Sequence, residues 1–122
     1  MFLREYVPDA LHESMKAGRP VTVEARSIAD GLNGPYAGAN CVEVCRAAGV
    51  ESVLVGEEDL KEGFRFLYGR MKLACELAGA ATAAALLAGK IDVEPGQKVA
   101  AVVSGGNVAA KTAAAILGSD EA

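Results

Sequence analysis

The 122-residue sequence has no tryptophan, and aromatic residues make up only 5% of it. Alanine and glycine carry much of the apolar count, which predicts close-packed helices lying on a sheet. Cysteine is scarce: Cys41, Cys45 and Cys75. An odd number with no CxxC pattern excludes a disulfide framework and points to a reducing cytosol. Cys41 and Cys45 are spaced to share a helix face, where core packing is preferred over metal or redox roles. His12 is the only histidine, too few ligands for tetrahedral zinc, and no metal site is expected. Positive charge is not in excess: 12 Lys and Arg stand against 16 Asp and Glu, a net charge of −4. This argues against nucleic acid or an anionic membrane as partner. The longest weakly polar stretch, 74–89, is too short to span a bilayer and contains Glu76. Charge at Arg4 and Glu5 follows Met1, Phe2 and Leu3 directly, so no secretory signal is expected.

What remains is ordinary for a globular protein: 52% hydrophobic and 23% charged residues. The length predicts one domain, residues 1–122, with no internal repeat and no dividing linker. A short helix is predicted over 8–17, opened by Pro8 and Asp9, closed by Gly18, with Leu11 and Met15 on its apolar side. Val21–Val23 is β-branched but short. Gly31, Gly34, Pro35 and Gly38 keep the following segment irregular. A helix is predicted over 39–48, a buried strand over Ser52–Val55, and a helix whose start is favoured by Glu57, Glu58 and Asp59. Leu60, Phe64 and Leu67 form its stripe. Gly63 and Gly69 weaken it by roughly 1 kcal/mol each. The near-continuous alanine and leucine of 77–88 predict a buried helix with Gly89 at its end. Pro95-Gly96 makes a turn, Val99–Val103 a second buried strand, Ser104–Asn107 a tight turn and Val108–Leu117 a last helix. Helices alternating with apolar strands predict an α/β fold, a partial three-layer sandwich with a small, mainly parallel sheet flanked by helices.

Three segments could carry chemistry. At Val99–Val108 a strand ends in Ser104, Gly105 and Gly106 before a helix begins. Ligands of open α/β sheets bind at such strand ends, glycines allow close approach, and a helix start offers free N–H groups. An ordinary strand–turn–helix connection explains the same residues. Glu76 stands before an alanine-rich helix, where a carboxylate must be bonded, paired or near solvent. It marks either a functional site or an exposed rim. Ser27–Gly31, taken alone, is a turn with an Asx-type hydrogen bond.

Together, these segments resemble a known family. Ser27-Ile-Ala-Asp-Gly31 resembles the Thr-Ile-Ala-Asp-Gly of pyridoxal-phosphate (PLP) dependent threonine dehydratases and serine racemases, the fold type II enzymes. Arg70-Met-Lys-Leu-Ala-Cys-Glu76, with Ala78-Gly79-Ala80 after it, resembles their Arg-Met-Lys-Leu stretch and the glutamate before Ser-Gly-Ala. Leu86–Lys90, Val103–Val108 and Ser14–Arg19 are similar as well. Order and spacing agree from about residue 8 to residue 108, and the chain resembles the C-terminal portion of a family catalytic domain.

The resemblance implies roles. Ser104 would hydrogen-bond the pyridine nitrogen of PLP. A neutral hydroxyl there leaves the nitrogen largely unprotonated, which suits β-elimination of water from serine or threonine, giving a 2-oxo acid and ammonia. Gly31 and Gly105 would lie close to the cofactor, and Glu76 near it. Departures follow too. The family's Schiff-base lysine comes after Ser-Phe. The lysines here are Lys16, Lys61, Lys72, Lys90, Lys98 and Lys111, and none does. The glycine-rich phosphate cradle is missing, so no catalytic residue is expected in this chain. Arg4 and Ala10 stand where some members carry metal-binding carboxylates. Leu77 replaces the usual proline or glycine after the glutamate. No counterpart of the regulatory domain of some members is expected in residues 1–122.

Three outcomes are expected to compete. The chain is inactive alone and acts with a complementary N-terminal chain on a small amino acid in the complete enzyme. Or it is a non-catalytic remnant that forms homo-oligomers through apolar surface. Or it is a small anion-binding module at the Ser104 turn. Threonine is not distinguished from serine, nor dehydration from racemisation.

Overall fold

The structure, a computed structural model, describes residues 9–120. Its elements are α1 (Ala10–Ala17), α2 (Ala39–Ala47), α3 (Glu57–Phe66), α4 (Leu77–Leu87) and α5 (Ala110–Leu117). Shorter turns lie at Asp30–Leu32, Leu67–Met71 and Gly118–Asp120. The boundaries follow local chemistry. The Asp9 side chain accepts from the N–H groups of Leu11 and His12, satisfying two donors that the first turn of α1 leaves orphaned. Gly18 ends α1 at φ 70°, a left-handed conformation that glycine adopts without cost. Asp59 accepts from the Gly56 N–H at 3.0 Å and fastens the start of α3. Pro8 and Arg4 lie outside the described residues.

The core is helix on helix. α3 packs along α4, and Leu60, Phe64 and Leu67 supply the buried stripe that the sequence periodicity predicts. Each such side chain stabilises the fold by about 1.5–3 kcal/mol. α4 presents Leu77, Ala80, Ala81, Ala83, Ala84 and Ala85 to the interior. Gly63 permits the approach: a Cβ on it would lie 2.8–2.9 Å from the backbone N and Cα of Ala84. Tyr68 stacks on Phe64 with centroids 4.6 Å apart. Arg65 carries the fold to α5, its Nε donating to the Ile116 carbonyl at 3.0 Å and its Nη2 to Ser119 Oγ at 2.5 Å. Ser14, fully buried on α1, accepts the Val21 N–H at 3.0 Å.

The expected sheet is not formed. Among the described residues, the β pairing is a single antiparallel bridge, Thr22 with Tyr36. Val53 and Val55 do face the core, but Ser52–Val55 forms no β pairing among the described residues. Val99–Val103 corrects the reading more sharply, because Val99 is 48% and Val102 67% exposed. An apolar run becomes a buried strand only where a neighbouring strand and a covering layer receive it. Among the described residues its side-chain tether is Thr82 Oγ1, donating to the Val102 carbonyl at 2.9 Å. The last helix starts at Ala110 rather than Val108, because the Val108 N–H turns back to the Gly106 carbonyl at 2.9 Å, a γ-turn link. The cysteines also depart from expectation: Cys75 is buried, but Cys41 is exposed and Cys45 half-buried. α2 touches the body mainly through Val42, so neighbouring faces stay in solvent. Among the described residues no helix is long and apolar enough to cross a membrane.

Candidate functional site

Three segments meet at the start of α4. After α3 the chain passes through a π-helical turn, Leu67–Met71, and Lys72 reverses it at φ 59°. Widened turns of this kind often re-aim a chain at functional sites. Here it delivers Cys75 into the core and Glu76 to the N-cap position of α4. A carboxylate at a helix start meets the positive end of the dipole.

Glu76 binds the Ser104–Asn107 turn twice. Its N–H donates to the Gly105 carbonyl at 3.0 Å, and its Oε2 accepts from the Asn107 N–H at 3.1 Å. The contact requires glycine at position 79, where the neighbours are backbone, while a Cβ at position 105 would have to displace the Glu76 side chain. A Cβ on Gly105 would fall 2.7 Å from Glu76 Cδ, and one on Gly79 would fall 2.8 Å from the Gly105 carbonyl oxygen. The Ser27–Gly31 loop arrives from the other side. A Cβ on Gly31 would be 3.0 Å from Ala78 Cβ and 3.5 Å from Glu76 Oε1. Within that loop Ser27 Oγ accepts from the Ala29 N–H at 3.0 Å, and Asp30 Oδ1 from the Gly31 N–H at 2.8 Å. A cleft of ≈ 440 Å³ opens between the segments, lined by residues that include Asp30, Glu76, Leu77, Asn107, Val108 and Thr112.

Gly31, Glu76 and Gly105 are thus brought together, with Glu76 as the clamp between them. Ser104 is exposed one residue before Gly105, and its hydroxyl makes no bond to a described residue. It does not line the cleft, and neither does any lysine. Ala10 is buried in α1, and Leu77, the departure after the glutamate, is accommodated as the first residue of α4. The Cys75 thiol is pushed above its usual value by burial first and by the Glu76 charge second.

Glu57 was missed as part of this assembly. As a first-turn acid it reads as a helix-dipole residue, yet its Oε2 accepts from the Ile28 N–H at 3.1 Å and holds the Ser27–Gly31 loop. Its Oε1 is buried with no described partner. No signal in the sequence pairs positions 28 and 57.

The residues present fit one edge of a PLP ring. A free serine hydroxyl can donate to a heteroaromatic nitrogen, and glycine backbone beside it permits close approach. Among the described residues lining the cleft there is no lysine for a covalent anchor and no glycine run for a phosphate cradle.

Comparison with known proteins agrees with the resemblance. The chain is 36% identical over 111 residues to phenylserine dehydratase of Ralstonia pickettii, covering 90% of this chain and 34% of that enzyme. It is 38% identical over 96 residues to L-threonine ammonia-lyase of Thermotoga maritima, covering 78% of this chain and 23% of that enzyme. The chain therefore spans about a third or less of the length of these relatives. The crystal structure of a T.th. threonine deaminase superimposes with a TM-score of 0.78 at 32% identity, over 88% of this chain and 38% of that one. The chain thus superimposes on an α/β fold type II enzyme, although no sheet forms among its described residues. Residues 5–105 match the family model for pyridoxal-phosphate dependent enzymes, and the chain belongs to that family.

Proposed function

We propose that this chain supplies one wall of a PLP-dependent serine/threonine dehydratase site, and that it is inactive as this chain alone. The reaction is β-elimination of water from the amino acid, giving a 2-oxo acid and ammonia. The convergence of Gly31 and Gly105 on Glu76 carries this reading. It is the geometry expected if the Ser27–Gly31 and Ser104–Asn107 segments are held as two sides of a binding edge.

When bound, PLP supplies the electron sink for cleaving bonds at the α-carbon. In this reading Ser104 donates its hydroxyl to the pyridine nitrogen. Gly105 and Gly31 leave room at the ring edge, and Glu76 keeps both loops in register without a proton-transfer role of its own. The lysine and the phosphate grip come from complementary sequence, on a partner chain or elsewhere in a longer protein, and the small amino-acid substrate binds only in that complete site. Residues 1–122 act as a single domain, in the cytoplasm.

A second reading is favoured by one observation, the exposure of Val99 and Val102 together with Met71 and Leu73. Such apolar surface invites coverage, and a non-catalytic homo-oligomer would provide it.

PLP absorbance titration of the chain, with Ser104→Ala beside it and borohydride trapping with intact mass, tests the site. The complementing experiment adds a chain bearing the Ser-Phe-Lys stretch and the glycine run, then assays 2-oxo acid and ammonia. The half-site is supported if the unaltered chain alone binds PLP no more tightly than Ser104→Ala does, and if activity arises only in the mixture. Tight Ser104-dependent binding by the chain alone overturns its incompleteness. A stable homodimer that neither binds PLP nor gains activity from the complement establishes the second reading.

A further inference from the structure

Two segments carry backbone that no other described segment pairs with. Neither 52–55 nor 99–103 donates or accepts a backbone–backbone hydrogen bond among the described residues. Val55 is 0% exposed, so water does not reach its N–H and C=O either, and an unpaired buried backbone group costs about as much as a lost hydrogen bond. Val53, Val55 and Val103 rest on the one core that α3 and α4 build. One edge of the 99–103 ribbon is engaged, since Thr82 of α4 donates to the Val102 carbonyl at 2.9 Å. Run as a strand, the ribbon turns the N–H and C=O of successive residues to opposite edges. Ala100 and Val102 then address α4, and Val99, Ala101 and Val103 address the outer edge. That edge has no charge and no proline to block the addition of a strand.

Extent and symmetry identify the occupant. The chain accounts for 34% of phenylserine dehydratase and 38% of the threonine deaminase chain, so most of such an enzyme is other sequence. A second copy of this chain would pair ribbon with ribbon about a twofold axis. That sets the two strands antiparallel and their Ser104 turns at opposite ends. Ligands of open α/β sheets bind beyond the carboxyl ends of parallel strands, so a completed site needs those ends side by side.

We propose that the outer edge of 99–103 is the docking site for one strand of the complementary sequence, added parallel, with its carboxyl end beside Ser104. The inference rests on the half-site reading given above. The N–H and C=O groups of Val99, Ala101 and Val103 hold the added strand. Parallel addition then sets whatever follows that strand against the Ser104–Asn107 turn, where the rest of the site has to come.

The test co-expresses the chain with the part of the Ralstonia pickettii phenylserine dehydratase that it does not match. Association, 2-oxo acid formation and residue-resolved amide exchange are then followed on the same samples. In the chain alone the 99–103 amides should exchange freely. In the complex Val99, Ala101 and Val103 should become protected, and cross-strand nuclear Overhauser contacts should place Val103 near the carboxyl end of the added strand. Ala101→Pro removes an outer-edge N–H and should weaken association by about ten-fold, whereas Ala100→Pro removes an inner one and should leave it near the wild-type value. Neither variant should lower the urea midpoint of the chain alone, since neither N–H has a backbone partner there. A lowered midpoint overturns the free edge. Association and activity with the ribbon still exchanging, with both proline variants tolerated alike, or with an antiparallel contact pattern overturn the docking site and leave the half-site reading standing. Protection of the ribbon in a homodimer gives the edge to a second copy and overturns the proposal. Absence of any association overturns both.

Discussion

Replacing Gly79 by alanine separates propensity from packing. Alanine is the better helix former by at most about 1 kcal/mol, and a gain is all that the sequence predicts. The structure sets a larger cost against it. The added methyl would lie 2.8 Å from the Gly105 carbonyl oxygen and 3.1 Å from its nitrogen. Both are backbone atoms, with no flexible end to swing aside. Overpacking of this kind costs about 1–3 kcal/mol. Moving the turn away instead weakens the Glu76 N–H to Gly105 bond, 3.0 Å long and worth about 0.5–1.5 kcal/mol. The net expectation is destabilisation by about 1–2 kcal/mol. Urea unfolding followed by far-ultraviolet circular dichroism measures it as a lower midpoint at unchanged slope. A midpoint at or above wild type would refute the packing argument and return Gly79 to an ordinary helix glycine.

Other substitutions follow the same logic. Gly63→Ala should destabilise by about 1–3 kcal/mol in the same assay, since its methyl would meet the Ala84 backbone, whereas Gly69→Ala meets nothing within 4 Å and should be neutral or mildly stabilising. Asp9→Ala should cost about 1 kcal/mol by orphaning the Leu11 and His12 N–H groups; equal midpoints would refute the cap. Burial and the Glu76 charge raise the Cys75 pKa, so its contribution to stability is complete below the unfolded thiol's pKa and is lost as pH rises through the folded one. Urea midpoints measured on the alkaline side should fall, and Cys75→Ala should flatten that fall.

Legibility tracked how local each cause is. Caps and stripes act within a few residues, so α1 with Asp9 and Gly18, and α3 with Leu60, Phe64 and Leu67, could be read directly. Gly31, Glu76 and Gly105 were identified as candidates from motif order, and the structure brings them together. What failed depends on partners distant in the chain. Val99–Val103 has the composition of a buried strand, but burial belongs to whatever lies against it. Cys41 has the spacing of a core residue on a helix that turns little of itself inward. The α5 boundary shifted because one γ-turn bond captured the Val108 N–H. Glu57 reaches a loop 29 residues earlier, a pairing set by the path of the backbone. The signs at Gly63 and Gly79 reverse for the same reason: propensity is local, clearance is not.

The unpaired valine ribbon at 99–103 also governs how the molecule behaves in bulk. Its backbone groups have no backbone partner among the described residues, and its side chains are apolar. Such an edge is a template for another extended chain, and proteins usually blunt it with charge or proline. Here Lys98 stands guard at one end and Gly105 and Gly106 loosen the other, while the centre is unprotected. On heating, loss of helix and growth of intermolecular β-structure should therefore be a single linked event, faster in concentrated solution. Shelf life at a given temperature would then be set by protein concentration more than by the strength of the α3–α4 core.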